Sequence, residues 1–114
     1  MANTFKNASI ASVPTNGFSH ADGLLYTCPG STTAIILGIA ITNKTDNSAH
    51  ISIQFTDSSA SGTRLLLNEV AIPANTTLEV LAGQKYVLEA SDILKVQAGT
   101  ATSLDVVMGL MEIT

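Results

Sequence analysis

The sequence predicts an all-β protein, a single-domain antiparallel β-sandwich of jelly-roll-like form with about eight strands and an extended N-terminal arm. Three observations favour this fold class. From residue 33 onward, short apolar runs recur at intervals of roughly 8–12 residues. Turn residues separate the runs, and no segment shows convincing helical periodicity. A chain of 114 residues is also long enough to bury one self-sufficient core.

The first element, residues 1–22, differs in composition from the rest of the chain. Ala, Asn, Ser and Thr dominate, and residues 13–17 (Val-Pro-Thr-Asn-Gly) are a turn signal. We interpret this segment as an extended arm or a peripheral strand over residues 10–13, and residues 23–114 as the sandwich domain. An arm of this kind can pair with the sheet edge of a neighbouring subunit. Pairing within its own domain is the alternative.

The next runs predict the central strands. After a strand at residues 24–28, residues 34–41 are apolar on both faces, which is typical of a central strand covered by two layers, with Gly38 allowing a close approach or a bulge. Periodicity alone also allows a short buried helix, but the isoleucines and the flanking turns favour a strand. Residues 50–56 alternate cleanly and predict a strand with one wet face.

Hairpins of short strands fill the rest of the chain. Residues 64–72 return as a strand interrupted near Asn68 and Glu69. Residues 89–92 resemble a tight corner, with a single helical turn as the other option. Further strands are predicted at residues 78–81, 85–89, 93–97 and 103–113.

The last strand indicates an interface because both of its faces are apolar. We expect one face to fill the core, and it carries Leu104, Val106, Met108 and Leu110. Another sheet, the arm or a second subunit must then cover the other face, since monomers rarely expose a contiguous apolar patch. The candidate interface residues are Ile10, Val13, Phe18, Val107, Met111 and Ile113.

Composition excludes several classes of partner. Only 12% of residues are charged, against about 25% in an ordinary soluble domain, which suits a protein covered by its neighbours. The net charge is −4 and the five cations are scattered, so we expect no nucleic-acid binding. The longest apolar run is about half of a membrane span and no signal peptide is recognisable, so we expect no membrane. The lone Cys28 indicates a reducing compartment and excludes a disulfide framework.

The sequence offers no group equipped for catalysis. His20 has Asp22 two residues away, but no Gly-x-Ser-x-Gly elbow accompanies them. His50 opens a strand on its polar face, and the carboxylates lie singly, without a calcium-loop spacing. We therefore expect no enzyme activity, no cofactor and no metal site.

Four segments in order, Leu24–Asn43, Ile72–Val80, Gly83–Leu88 and Ser91–Val96, resemble small virion structural proteins of tailed bacteriophages. The resemblance covers about residues 24–114. It implies a non-enzymatic β-sandwich in the virion, assembled in the host cytoplasm, as a capsid decoration (cement) protein or a tail, neck or fibre component. The implied partners are copies of itself and a major capsid or tail protein. Analogy with decoration proteins at three-fold positions suggests a homo-oligomer that is trimeric when free or docked.

A receptor-binding or carbohydrate-binding module of the same fold is the alternative. Such a module needs exposed aromatic side chains on its loops. Tyr26 and Tyr86 are the candidates, and we expect both to be packed.

Overall fold

The computed structural model describes residues 2–114 as two antiparallel β-sheets that pack face to face. The strands are β1 (Asn3–Ile10), β2 (Leu24–Thr27), β3 (Thr33–Asn43), β4 (Ala49–Asp57), β5 (Gly62–Ile72), β6 (Thr77–Glu79), β7 (Tyr86–Leu88), β8 (Ile93–Ala98) and β9 (Leu104–Ile113). One 3-10 turn, Ala21–Gly23, precedes β2. Within residues 2–114 no helix has the length and apolar character needed to cross a membrane.

The strand order is that of a jelly roll. The first sheet runs β1-β9-β3-β6, with β7 also pairing β3, and the second runs β2-β8-β4-β5. Because β9 occupies one edge of β3, both β6 and β7 lie along the other, and they are two halves of one interrupted strand. Counting that strand once gives two four-stranded antiparallel sheets. The predicted β-sandwich is confirmed.

Alternation along the strands places the core between the sheets. On β9, Leu104, Val106 and Met108 are fully buried and Leu110 nearly so, as the sequence predicts. The opposing sheet contributes side chains of β4 and β8. The largest fully buried residues of the central strands are Ile36, Ile39, Ile41, Ile51, Ile53, Leu104, Met108 and Leu110.

The N-terminal segment contains an edge strand of the first sheet. β1 forms eight consecutive antiparallel pairs with β9, without a bulge, so the strand lies ahead of the predicted residues 10–13. Val13 follows in the core, where it is fully buried and its N–H donates to the carbonyl of Leu104 at 2.8 Å. Its assignment to an interface is therefore wrong, because a side chain sealed inside its own domain has no surface to offer.

β3 is a central strand, but only its inner face is covered. The expected bulge lies between Ile36 and Gly38. On the outer face Ile35 is partly exposed and Leu37 is 40% exposed. The prediction of two covering layers is wrong, because the second sheet packs on one side only.

The predicted interruption of β5 is a bulge. Glu69 adopts a positive φ of 49°, and the pairing of β5 with β4 shifts register at this point. The Glu69 N–H donates to the Ser52 hydroxyl at 2.8 Å. That bond keeps the two strands together through the irregularity, so β5 continues to Ile72.

Candidate functional site: the outer face of the first sheet

An apolar row crosses the outer face of the first sheet. Phe5 lies opposite Met111, Met111 opposite Ile35, and Ile35 opposite Val87. Directly opposed residues share a face with their side chains in contact range, so these four form a continuous row over β1, β9, β3 and β7. Phe5 is 74% exposed and Val87 is 57% exposed. We call these four residues the apolar row.

A shallow groove runs beside the apolar row. Gly109 lies opposite Gly38 on the outer face; a Cβ atom added at Gly109 would meet nothing within 4 Å, whereas one at Gly38 would lie 3.5 Å from the Glu79 carboxylate. The next row contains Val107, which is 55% exposed and lies opposite Ala40. The apolar row, the open position at Gly109 and Val107 together give a surface on which a partner's side chain can fit over Gly109.

The two outer faces of the sandwich differ in polarity. On the outer face of the first sheet, the acidic groups Asp105 and Glu79 are already bound: Asp105 accepts from the Ser12 N–H and from Lys44, and Glu79 accepts from the Ile39 N–H. The second sheet presents polar side chains outward from β4 and β8, namely His50, Gln54, Thr56, Lys95 and Gln97. Over β9, β3 and β7 the first face is therefore less costly to desolvate than the second, while Asn3, Asn7 and Ser9 keep its β1 margin polar.

The structure gathers half of the predicted interface residues on this face. Val107, Met111 and Ile113 all lie there, since each alternates with a buried neighbour on β9. Ile10 lies opposite the buried Val106 and packs against the core. Phe18 lies in the loop before the 3-10 turn.

Sequence reasoning missed Phe5, Ile35 and Val87 as members of one surface. Each stands next to a residue of the opposite facing, so its orientation was readable from alternation. Their proximity was not readable, because it depends on β1 and β7 lying on opposite sides of the β9-β3 pair.

A buried carboxylate joins β1, β2 and β9 at one end of the sandwich. Glu112 is 7% exposed. It accepts a hydrogen bond from the Tyr26 hydroxyl at 2.5 Å and forms an ion pair with Lys6 at 3.0 Å. The Tyr26 hydroxyl, followed by Lys6, holds the pKa of Glu112 below its ordinary value. Burial, followed by Glu112, raises the pKa of Tyr26. Tyr26 is thus packed, as expected.

A second surface feature is an apolar cleft of about 260 Å³ between the edges of the two sheets. It is lined by side chains of β3, β4, β5, β7 and β8, among them Ile36, Phe55, Arg64, Leu65, Tyr86 and Val87. Tyr86 is 42% exposed, so the expectation that it is packed is wrong. Tyr86 lies on the short edge strand β7, which has a neighbouring strand, β3, on one side only.

The acidic side chains at the predicted corner brace two loops. Carboxylate oxygens of Asp57, Glu89 and Asp92 lie within 4.8 Å of one another. Asp92 accepts from the N–H and hydroxyl of Ser58 and from the N–H of Glu89. The Ser59 hydroxyl is the main cause that lowers the pKa of Asp57. These bonds tie the β4–β5 loop to the β7–β8 corner.

The histidines have local roles in the structure. His20 is exposed, caps the 3-10 turn by accepting from the Asp22 N–H at 3.2 Å, and lies 3.4 Å from the Asp22 carboxylate. His50 is exposed on the outer face of β4, as its position in the alternating pattern predicts.

Proteins of similar fold are found among solved structures. No protein-family model matches the sequence, and no curated protein matches it. Among solved structures, a Bacillus endospore appendage of the disulfide-linked pilus family superimposes with a TM-score of 0.52 at 11% identity, over 97% of this chain and 86% of the other. The Drosophila NLP core, described for pentamer formation and histone binding, gives 0.53 at 10% identity, over 97% and 99%. A pentameric capsid protein from metagenomic phage sequences gives 0.38 at 16% identity, over 94% and 63%. The first two likenesses, with TM-scores above 0.5 at about a tenth identity, concern the fold alone.

Proposed function

We propose that the protein is a virion structural protein of a tailed bacteriophage, in the first place a capsid decoration (cement) protein, which acts by burying surface and not by catalysis. The observation that carries the proposal is the apolar row on the uncovered outer face of the first sheet. Monomeric proteins seldom leave such a contiguous apolar surface in water. A major capsid protein supplies the cover in this proposal.

The size of the outer face suits a weak contact with the particle, which we call a seat, that is repeated many times. Four strands about 4.8 Å apart and up to about 30 Å long give a flat area of roughly 450 Å². A stable isolated interface needs about 800 Å² from each partner. A single seat is therefore weak, and many seats on one particle add through multivalency.

Repetition is in keeping with the similar folds. Two proteins of similar fold, described above, are reported to form pili and a pentamer. For the docked state we keep the trimer that the phage resemblance implies, with each copy seated through the outer face of its first sheet.

The test is direct labelling of purified particles with an antibody to this chain, viewed by electron microscopy. Label over the heads supports decoration. Label confined to tails, necks or fibres moves the protein to that part of the virion through the same face. Absence of the chain from purified particles overturns the proposal.

A pair of glycine variants tests whether the outer face is the seat. Gly109→Glu places a charge in the groove beside the apolar row, and Gly30→Glu places the same charge on a distant turn. A Cβ atom at either position meets nothing within 4 Å, so we expect both variants to keep the fold. We expect Gly109→Glu to lower binding to particles stripped of this protein at least tenfold, and Gly30→Glu to bind normally. Equal binding of the two variants contradicts the assignment of the seat.

Carbohydrate or receptor binding is the second candidate, and the exposed Tyr86 in the cleft favours it. An aromatic side chain beside Arg64 is the kind of surface that holds a sugar ring or a small ligand. Binding on a glycan array that Tyr86→Ala abolishes would support this candidate. Absence of any sugar binding leaves decoration as the proposal.

A further inference from the structure

Within residues 2–114 no strand pairs with the outward edge of β1. β1 pairs with β9 on one side and is the end strand of the first sheet. The Thr114 N–H donates to the carbonyl of Ala2, one step beyond the pair Asn3↔Ile113, which fixes the alternation of hydrogen-bonded pairs along the strand. The N–H and C=O groups of Asn3, Phe5, Asn7 and Ser9 therefore point away from β9.

β1 lacks the devices that protect other edges of the sandwich. Its eight pairs with β9 contain no bulge, its sequence contains no proline, and the side chain of Lys6 is bound to Glu112. The edge strand β5, in contrast, carries two register shifts, and β2 is only four residues long. A long, regular edge strand with an exposed apolar side chain is a template for pairing with another strand.

We infer that two copies of this chain pair β1 to β1, antiparallel, about a two-fold axis at Phe5. Opposed residues must share a face, and the registers that pair the most outward N–H and C=O groups are those centred on Phe5, Lys6 or Asn7. The register centred on Lys6 leaves Phe5 opposite Asn7. The register centred on Asn7 leaves Phe5 opposite Ser9. The register centred on Phe5 gives an aromatic pair, and its neighbours are Asn3 opposite Asn7.

This register also makes the apolar row continuous across the two copies. In each copy the row ends at Phe5 on the free edge. Pairing Phe5 with Phe5 of the second copy joins the two rows end to end, through two four-stranded sheets. The backbone groups of Asn3, Phe5 and Asn7 then find partners in the second copy in place of water.

The pairing of two copies is inferred from the free edge of β1 and does not depend on the virion proposal. An edge that pairs about a two-fold axis does not close a trimer, so the free protein is expected to be a dimer. The trimer proposed above concerns the docked state. Localisation on a particle and dimerisation in solution therefore succeed or fail separately.

A cysteine pair tests the register. In the register centred on Phe5, Phe5→Cys places two thiols on opposed residues with Cα atoms about 5.5 Å apart, within the range that a disulfide spans. Ser9→Cys, also exposed on the outer face of β1, has no thiol opposite it. Cys28 is 1% exposed and does not interfere. Under mild oxidation of the full chain we expect the Phe5→Cys dimer to form at least tenfold faster. Equal rates overturn the register.

Sedimentation equilibrium from micromolar to millimolar protein tests the association itself. The unchanged chain is expected to shift from monomer to dimer across this range. Asn7→Pro removes an outward N–H, which an edge strand tolerates, and is expected to be monomeric with an unchanged circular dichroism spectrum. Leu65→Ser, at the 53% exposed leucine of β5, is the control and should still dimerise. A monomer or a trimer at every concentration overturns the inference, as does dimerisation of a folded Asn7→Pro variant.

Discussion

Replacement of Glu112 by glutamine should destabilise the protein by about 2 kcal/mol at pH 7. The carboxylate is 7% exposed and accepts from Tyr26 and Lys6. A hydrogen bond to a charged group contributes about 1.5–3 kcal/mol, and a neutral one, which Gln retains, about 1 kcal/mol. The ion pair adds only about 0–1 kcal/mol, because the Lys6 side chain is 52% exposed. For a chain of this length, about 4 °C accompanies each kcal/mol, so the melting temperature should fall by about 8 °C.

The pH dependence separates the charge of Glu112 from its packing. Because the pKa of Glu112 is lowered in the folded state, its contribution is complete above the ordinary value of 4.5 and is lost as the pH falls through the folded value. The difference between the two proteins should therefore be constant from pH 6 to pH 8 and shrink in acid. Calorimetric melting at each pH measures it. Lys6→Met is the matched control, with an expected loss of less than about 1 kcal/mol. A Glu112→Gln variant that melts with the unchanged protein at pH 7, or a difference that persists undiminished in acid, refutes this reasoning.

Two further predictions concern the loops. Gly17→Ala should cost about 3 kcal/mol in urea unfolding, because its Cβ atom would lie 1.8 Å from the carbonyl oxygen of Val96, whereas Gly30→Ala, in open space, should change stability by less than about 0.5 kcal/mol. Equal midpoints for the two variants would show that the loop moves aside freely. Asp92→Ala should cost about 2 kcal/mol and accelerate hydrogen exchange at Ser58, because the Ser58 N–H loses its acceptor; unchanged exchange at that amide would argue against the brace.

The sequence patterns predicted where the strands lie more accurately than which distant residues they contact. Alternation identified the buried face of β9, since period-two patterns report burial directly. Val13 was misplaced because its Pro, Asn and Gly neighbours resemble an exposed arm, while long-range hydrogen bonds from Val13 to Leu104 and between its neighbours Ser12 and Pro14 and distant strands hold it in the core. Composition describes local preference and carries no information on such a contact.

The candidate site was predictable only in part. Val107, Met111 and Ile113 were identified because both faces of one strand are visibly apolar. The apolar row, in contrast, combines four strands that are distant along the chain. A run such as residues 34–41, apolar on both faces, has the same sequence pattern whether another layer of the protein or a partner covers its outer face.

The interruption between β6 and β7 makes this domain a candidate carrier for foreign peptides. Leu81 is 2% exposed and anchors the loop between β6 and β7. The Val80 N–H donates to the carbonyl of Ile39, and Ala82 and Gly83 are exposed at the tip of this loop. Lengthening an exposed loop adds little closure entropy, about 0.6 kcal/mol for each doubling. A guest sequence inserted between Ala82 and Gly83 would project from a sheet whose hydrogen-bonded ladder already ends there.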